Sequence, residues 1–166
     1  PLELLESINE GLDENDKRLV QTSLFLGIEM DPLKDDPQQG DFLIRNIMGA
    51  DRASGGIQIG AMLREGQLVQ FHLRDKDMSA EDLKLVLNRY KTSENSKKAS
   101  GALLFSCMGR GQYLYGKPNH DSDMFRDQIG DIALGGFFCN GEIGPVGKTT
   151  FLHGYTSSFG IFHPTH

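Results

Sequence analysis

The sequence predicts an α+β domain: a mixed, mostly antiparallel sheet with helices packed on it. Three observations carry that prediction. Short apolar runs alternate with turn signals through the first 75 residues, and Val69, Phe71 and Leu73 alternate with Gln70, His72 and Arg74 in the period-two pattern of a half-buried antiparallel strand. Apolar residues at helical spacing occur in separate stretches between these runs. Only residues 102–139 have the strand–helix–strand order that a parallel pair requires.

Taken in order, Leu2, Leu5, Ile8 and Leu12 predict a short amphipathic helix closed by Gly11. A polar stretch follows, then a strand over residues 23–30 and a Pro- and Asp-rich surface loop over residues 31–41. Strands are expected over residues 42–49, 57–64 and 67–74, the last two joined as a hairpin at Glu65-Gly66. Ser79 to Asp82 resembles a capping box, and Leu83, Val86, Leu87 and Tyr90 then predict a helix over residues 80–91. The polar run 92–98 reads as a linker between a hairpin-rich front part, residues 1–98, and a second part, residues 99–163, of one domain.

The second part is richer in glycine. ALLFSC, residues 102–107, predicts a buried strand that breaks at Met108-Gly109-Arg110-Gly111. Residues 121–130 predict a helix, and residues 132–139 a second buried strand ending at Asn140-Gly141. Gly144-Pro145 and Gly147 predict another turn, and residues 150–162 read as strand.

Composition excludes several classes of function. The 166 residues carry 17 basic and 23 acidic side chains, a net charge of −6, without the cationic stripe that nucleic-acid binding needs. No apolar run approaches the ~20 residues that span a bilayer, and no secretory signal pattern is present. These features predict a cytoplasmic protein without membrane insertion. The chain opens at Pro1 rather than Met and reads as a fragment of a longer protein. Cys107 and Cys139 lie in apolar runs, outside any CxxC pair, and are expected as reduced thiols.

The segment from Gly144 to Thr149 approaches a phosphate-binding loop but fails the pattern. Glu142 stands where the first glycine is required, and a strand rather than a helix follows. Gly109-Arg110-Gly111 is more informative, because it follows a buried strand and offers a guanidinium fork between two flexible residues. Gly141-Glu142 occupies the equivalent place after the second buried strand. Neighbouring strands would bring Arg110 and Glu142 to one sheet edge, a pairing suited to a zwitterion such as an amino acid. The alternative at each position is a structural ion pair or a solvated surface charge. His120 reads first as part of a helix start and His153 as a strand residue, and both are secondary ligand candidates beside Cys107. The histidines have no metal-ligand spacing. Cys107 or Cys139 with His120 or His153 could be a nucleophile and base, but nothing in the sequence joins them, and no GxSxG elbow surrounds Ser158. No catalytic residue, metal or cofactor is assigned.

These blocks together resemble the C-terminal domain of the FIST family (F-box and intracellular signal transduction proteins). Phe105, Ser106, Cys107, Gly109, Arg110 and Gly111 match one motif. Gly136, Phe137, Gly141, Glu142, Ile143, Gly144 and Pro145 match a second, and His153 a third. Ala133 replaces a common proline, and Gly154 stands where the family often has asparagine. The resemblance implies an intracellular signal-transduction sensory domain that binds a small ligand, with an amino acid as one candidate, and a parent protein carrying an N-terminal FIST domain. Arg110, Glu142, Gly109, Gly111, Gly141, His153, Cys107 and His120 are the ligand-site candidates on that reading. A protein-interaction module without a small ligand, and a cryptic thiol or carboxylate enzyme, are the alternatives.

Overall fold

A computed structural model describes residues 1–93, 99–146 and 149–164. The chain forms two compact units, Pro1–Asp75 and Lys76–His166. Helices and mostly antiparallel strands are both abundant, so the α+β class holds, with the strands distributed over three sheets among the described residues.

The first unit opens with α1 (Leu2–Glu10) and α2 (Glu14–Ser23). The sequence reading missed α2 because its composition is almost wholly polar. Its start was legible, since the Asp13 side chain accepts the Asp16 amide at 2.8 Å as an N-cap. Strands β1 (Leu24–Glu29), β2 (Phe42–Asp51), β3 (Gly56–Ile59) and β4 (Val69–Leu73) form an antiparallel sheet in the order β3-β2-β1-β4. This corrects the expected hairpin at Glu65-Gly66. β3 pairs with β2 and β4 with β1, so the two segments lie at opposite edges. The apolar residues of β1 explain the choice: Phe25, Leu26 and Ile28 are buried, and such a strand needs a neighbour on each side.

The second unit carries the motifs. It begins with α3 (Lys76–Lys91), longer at its start than the Ser79 signal indicated. The expected linker falls on residues 92–98, of which 94–98 lie outside the described residues. Strand β5 (Gly101–Cys107) is central in the order β6-β5-β9, with β6 (Ala133–Cys139) parallel and β9 (Ser157–Phe162) antiparallel to it. Two helices connect β5 to β6: a single turn, α4 (Gln112–Tyr115), and α5 (His120–Ile129). α5 packs on α3. Leu83, Leu87, Ala102 and Phe125 form the buried core, and the Phe125 ring stacks on Phe159 with centroids 5.2 Å apart. The rest is an antiparallel ribbon, β7 (Glu142–Val146) with β8 (Thr149–His153). Gly144-Pro145 therefore belongs to a strand rather than to a turn, and the remainder of the expected turn, Gly147, lies outside the described residues. The strand-like run 150–162 is broken between β8 and β9, where Tyr155 has φ 63°.

The parallel β5–β6 pair aligns Cys107 with Cys139, so both motif-bearing turns leave the same end of the sheet. Gly136 is what permits the pairing to be close. Its φ is 155°, and a Cβ there would meet the Leu104 carbonyl oxygen at 1.9 Å. Among the described residues, no helix is long and apolar enough to cross a membrane.

Candidate functional site

After β5 the chain turns tightly, with the Arg110 amide bonded to the Cys107 carbonyl at 2.9 Å across Met108 and Gly109. This directs Arg110 inward, where it is only 5% exposed. Its Nε and Nη2 donate to the two carboxylate oxygens of Asp121 at 2.7 and 3.1 Å. Nη2 also donates to the Tyr115 hydroxyl at 2.6 Å, and Nη1 to the Tyr155 carbonyl at 3.3 Å. Asp121 accepts further bonds from Ser106 at 3.1 Å and Ser157 at 2.5 Å, and its Oδ1 lies 3.0 Å from His120 Nδ1.

The electrostatics follow from these contacts. Burial disfavours a charged Asp121, but the bonds and charge of Arg110, with Ser157 and His120, outweigh it and hold the carboxyl at about 2. Burial likewise opposes the Arg110 charge, and Asp121 overcomes it, leaving the guanidinium above its ordinary value. Burial pushes the Tyr115 phenol up to about 12 despite the adjacent guanidinium.

Glu142 is even more buried, at 1% exposure. Its Oε2 accepts the Thr156 amide at 3.3 Å and the Thr156 hydroxyl at 3.0 Å, and the Cys139 thiol lies 3.4 Å from Oε1. Burial and then Glu142 raise the Cys139 pKa, so the thiol remains protonated and able to donate. Arg110 and Glu142 therefore reach the same short segment by different routes. Arg110 holds the Tyr155 carbonyl and Glu142 holds Thr156, on either side of the peptide that follows the positive-φ residue. A non-glycine residue in that conformation costs about 1–3 kcal/mol, and two buried side chains compensate for it here.

The remaining sequence candidates have these surroundings. His153 Nε2 lies 3.1 Å from the Gly144 carbonyl, across the β7–β8 ribbon. Cys107 is buried, and its amide donates to the Thr156 carbonyl at 3.0 Å. A Cβ on Gly141 would stand 3.2 Å from Leu152. Gly111, at φ 61°, leads into α4, and a Cβ there would stand 3.1 Å from the Phe138 ring.

Beside this network lies a cavity of about 540 Å³. Leu104, Leu134, Phe137 and Phe138 give it an apolar wall, with the backbones of Gly135 and Gly136 between them. The other end is the start of α5: Asn119, His120, Asp121 and Ser122. Of the sequence candidates, Gly111 and His120 line this cavity, whereas Arg110 and Glu142 do not. His120 is 7% exposed and stacks on Tyr115, with ring centroids 3.4 Å apart.

Asp121, Ser106, Ser157 and Tyr115 are the members of the site that sequence reasoning did not assign. Asp121 was legible only as a helix-start residue. Its pairing with Arg110 spans eleven positions and an intervening helix, and no local pattern encodes it.

The motif residues and the matched segment agree on origin. Residues 2–145 match the FIST C domain. The chain belongs to the FIST C domain family. Among curated proteins, this FIST C domain is 40% identical over 162 residues to an uncharacterized protein of Mycobacterium bovis, covering 98% of the chain and 42% of that protein. It is 30% identical over 115 residues to an F-box/LRR-repeat protein of Arabidopsis thaliana, covering 60% of the chain and 22% of the relative. Over 108 residues it is 30% identical to human F-box only protein 22, with 55% and 27% covered. The chain thus spans well under half the length of these relatives.

Proposed function

We propose that this FIST C domain is a cytoplasmic sensory domain in signal transduction that binds a small ligand in the cavity between β6 and the start of α5, without converting it chemically. The observation that carries the reading is the cavity itself. Its volume of about 540 Å³ suits a metabolite, and an apolar wall faces a small set of polar groups. The Arg110–Asp121 pair and Glu142 serve as its frame. They hold α5, β5 and the corner before β9 in fixed relation, so the cavity keeps its shape when a ligand enters. An amino acid is one candidate ligand, and an N-terminal FIST domain in the parent protein is the expected partner.

Thermal-shift screening against a metabolite collection that includes amino acids and uncharged compounds tests the reading, followed by calorimetry on hits. A saturable ligand whose affinity falls on Gly111→Leu, in a variant that remains folded, supports it. Retention of full affinity by that variant counts against the cavity.

A second reading, protein interaction without a small ligand, draws on the F-box relatives and on Phe137 and Phe138, which are exposed on the edge strand β6. Stable capture of a partner, abolished by Phe137→Ser and unaffected by any metabolite, would favour it.

A further inference from the structure

We propose that the cavity takes a small organic acid, with its anionic group at the first turn of α5 and its apolar body against Leu104, Leu134, Phe137 and Phe138. This rests on the ligand-binding reading above and specifies the class of ligand.

Two independent observations converge on the anionic group. The first is an uncapped helix end. The first bond of α5 runs from the Asp123 amide to the Asn119 carbonyl at 2.8 Å, so the amides of His120, Asp121 and Ser122 precede the helical ladder. An asparagine at this position usually accepts one of them through its side chain. Here Asn119 sits at φ 60° and makes no side-chain cap bond, and among the described residues these three amides have no acceptor. Helix starts of this kind bind carboxylates and phosphates, because free N–H groups and the helix dipole act together.

The second observation is His120. It is more than nine-tenths buried and lines the cavity, yet only one of its ring nitrogens is engaged. Ionised Asp121 accepts a hydrogen bond from Nδ1, and among the described residues no hydrogen bond engages Nε2. That nitrogen is left open to a ligand in a ring that is otherwise enclosed. The nearby carboxylate does not veto an anion. The Asp121 charge is matched by Arg110 and covered by Ser106 and Ser157.

A bound acid favours the imidazolium form, which places a proton on Nε2. The groups that face the ring or bear on it are Asp121 on α5, Arg110 in the turn after β5, and Tyr115 on α4, with Asp82 of α3 acting on Arg110.

Calorimetry with phenylacetate and its uncharged analogue phenylacetamide tests the class. Phenylacetate is expected to bind at least about tenfold tighter than the amide. His120→Gln should remove most of the preference. The wild-type comparison remains decisive if that variant does not fold. Equal affinity, or tighter binding of the amide, overturns the anionic class and leaves the ligand-binding reading in place. Failure of both probes at millimolar concentration overturns this proposal, while the screen with uncharged compounds judges the broader reading separately.

Discussion

Arg110 looks like a binding residue in the sequence and is a paired, buried cation in the fold. Both oxygens of Asp121, a tyrosine hydroxyl and a main-chain carbonyl occupy its guanidinium. Removing the Asp121 charge leaves that cation without a counter-ion in a water-poor site. Asp121→Asn should therefore lower unfolding free energy by about 3–5 kcal/mol in urea denaturation. Acid should act through the same residue. Its folded pKa of about 2 lies below the ordinary value of 3.8, so between these values the unfolded chain binds the proton more readily. The contribution, about 2 kcal/mol, is complete above pH about 4 and disappears as pH falls through about 2. Urea titrations at successive pH values check this, and Asp121→Asn should flatten that segment of the profile. Glu142 gives the same lesson. Isolation within a glycine-rich turn marked it as special, but the partner that defines its role, Thr156, lies beyond the whole β7–β8 ribbon.

Among the elements, β5, α5 and β6 were legible because their apolar runs and the glycine breaks between them agree with the final register. α2 and α4 were not. One is too polar to show an amphipathic stripe, and the other is a single turn that depends on Gly111 at positive φ and on the contacts of Tyr115. The hairpin expected at Glu65-Gly66 failed because local turn chemistry cannot indicate that β1 needs both β2 and β4 as neighbours. The β8–β9 corner was hidden for a similar reason, since Tyr155 carries no signal for positive φ. Its stability comes from Arg110 and Glu142. Thr156→Val removes a hydroxyl donor from a buried carboxylate and should cost about 1–3 kcal/mol. Hydrogen exchange should show faster opening at residues 155–157 than in the core of β5. Gly136→Ala tests the β5–β6 contact. A methyl group cannot fit against the Leu104 carbonyl, and a loss of at least about 2 kcal/mol is expected by urea denaturation.

For the molecule as a whole, two compact units share one chain, and the motif residues and the cavity belong to the second. Of the residues that motif spacing singled out, Gly111 and His120 line the cavity, while Arg110 and Glu142 hold the structure beside it. The division between those roles depends on which way each side chain turns, and a linear motif does not record that. A ligand at about a hundred times its Kd should raise folding stability by about 2.7 kcal/mol, visible as a higher Tm. The most direct test of the account is backbone amide NMR during titration of the protein with a hit from the metabolite screen. The account predicts that the resonances of Gly111, of residues 119–122 and of residues 136–138 move together while those of Thr156 and the Arg110 Nε–H remain in place. Shifts centred on Arg110, Glu142 and Thr156, with the cavity residues unchanged, would contradict it.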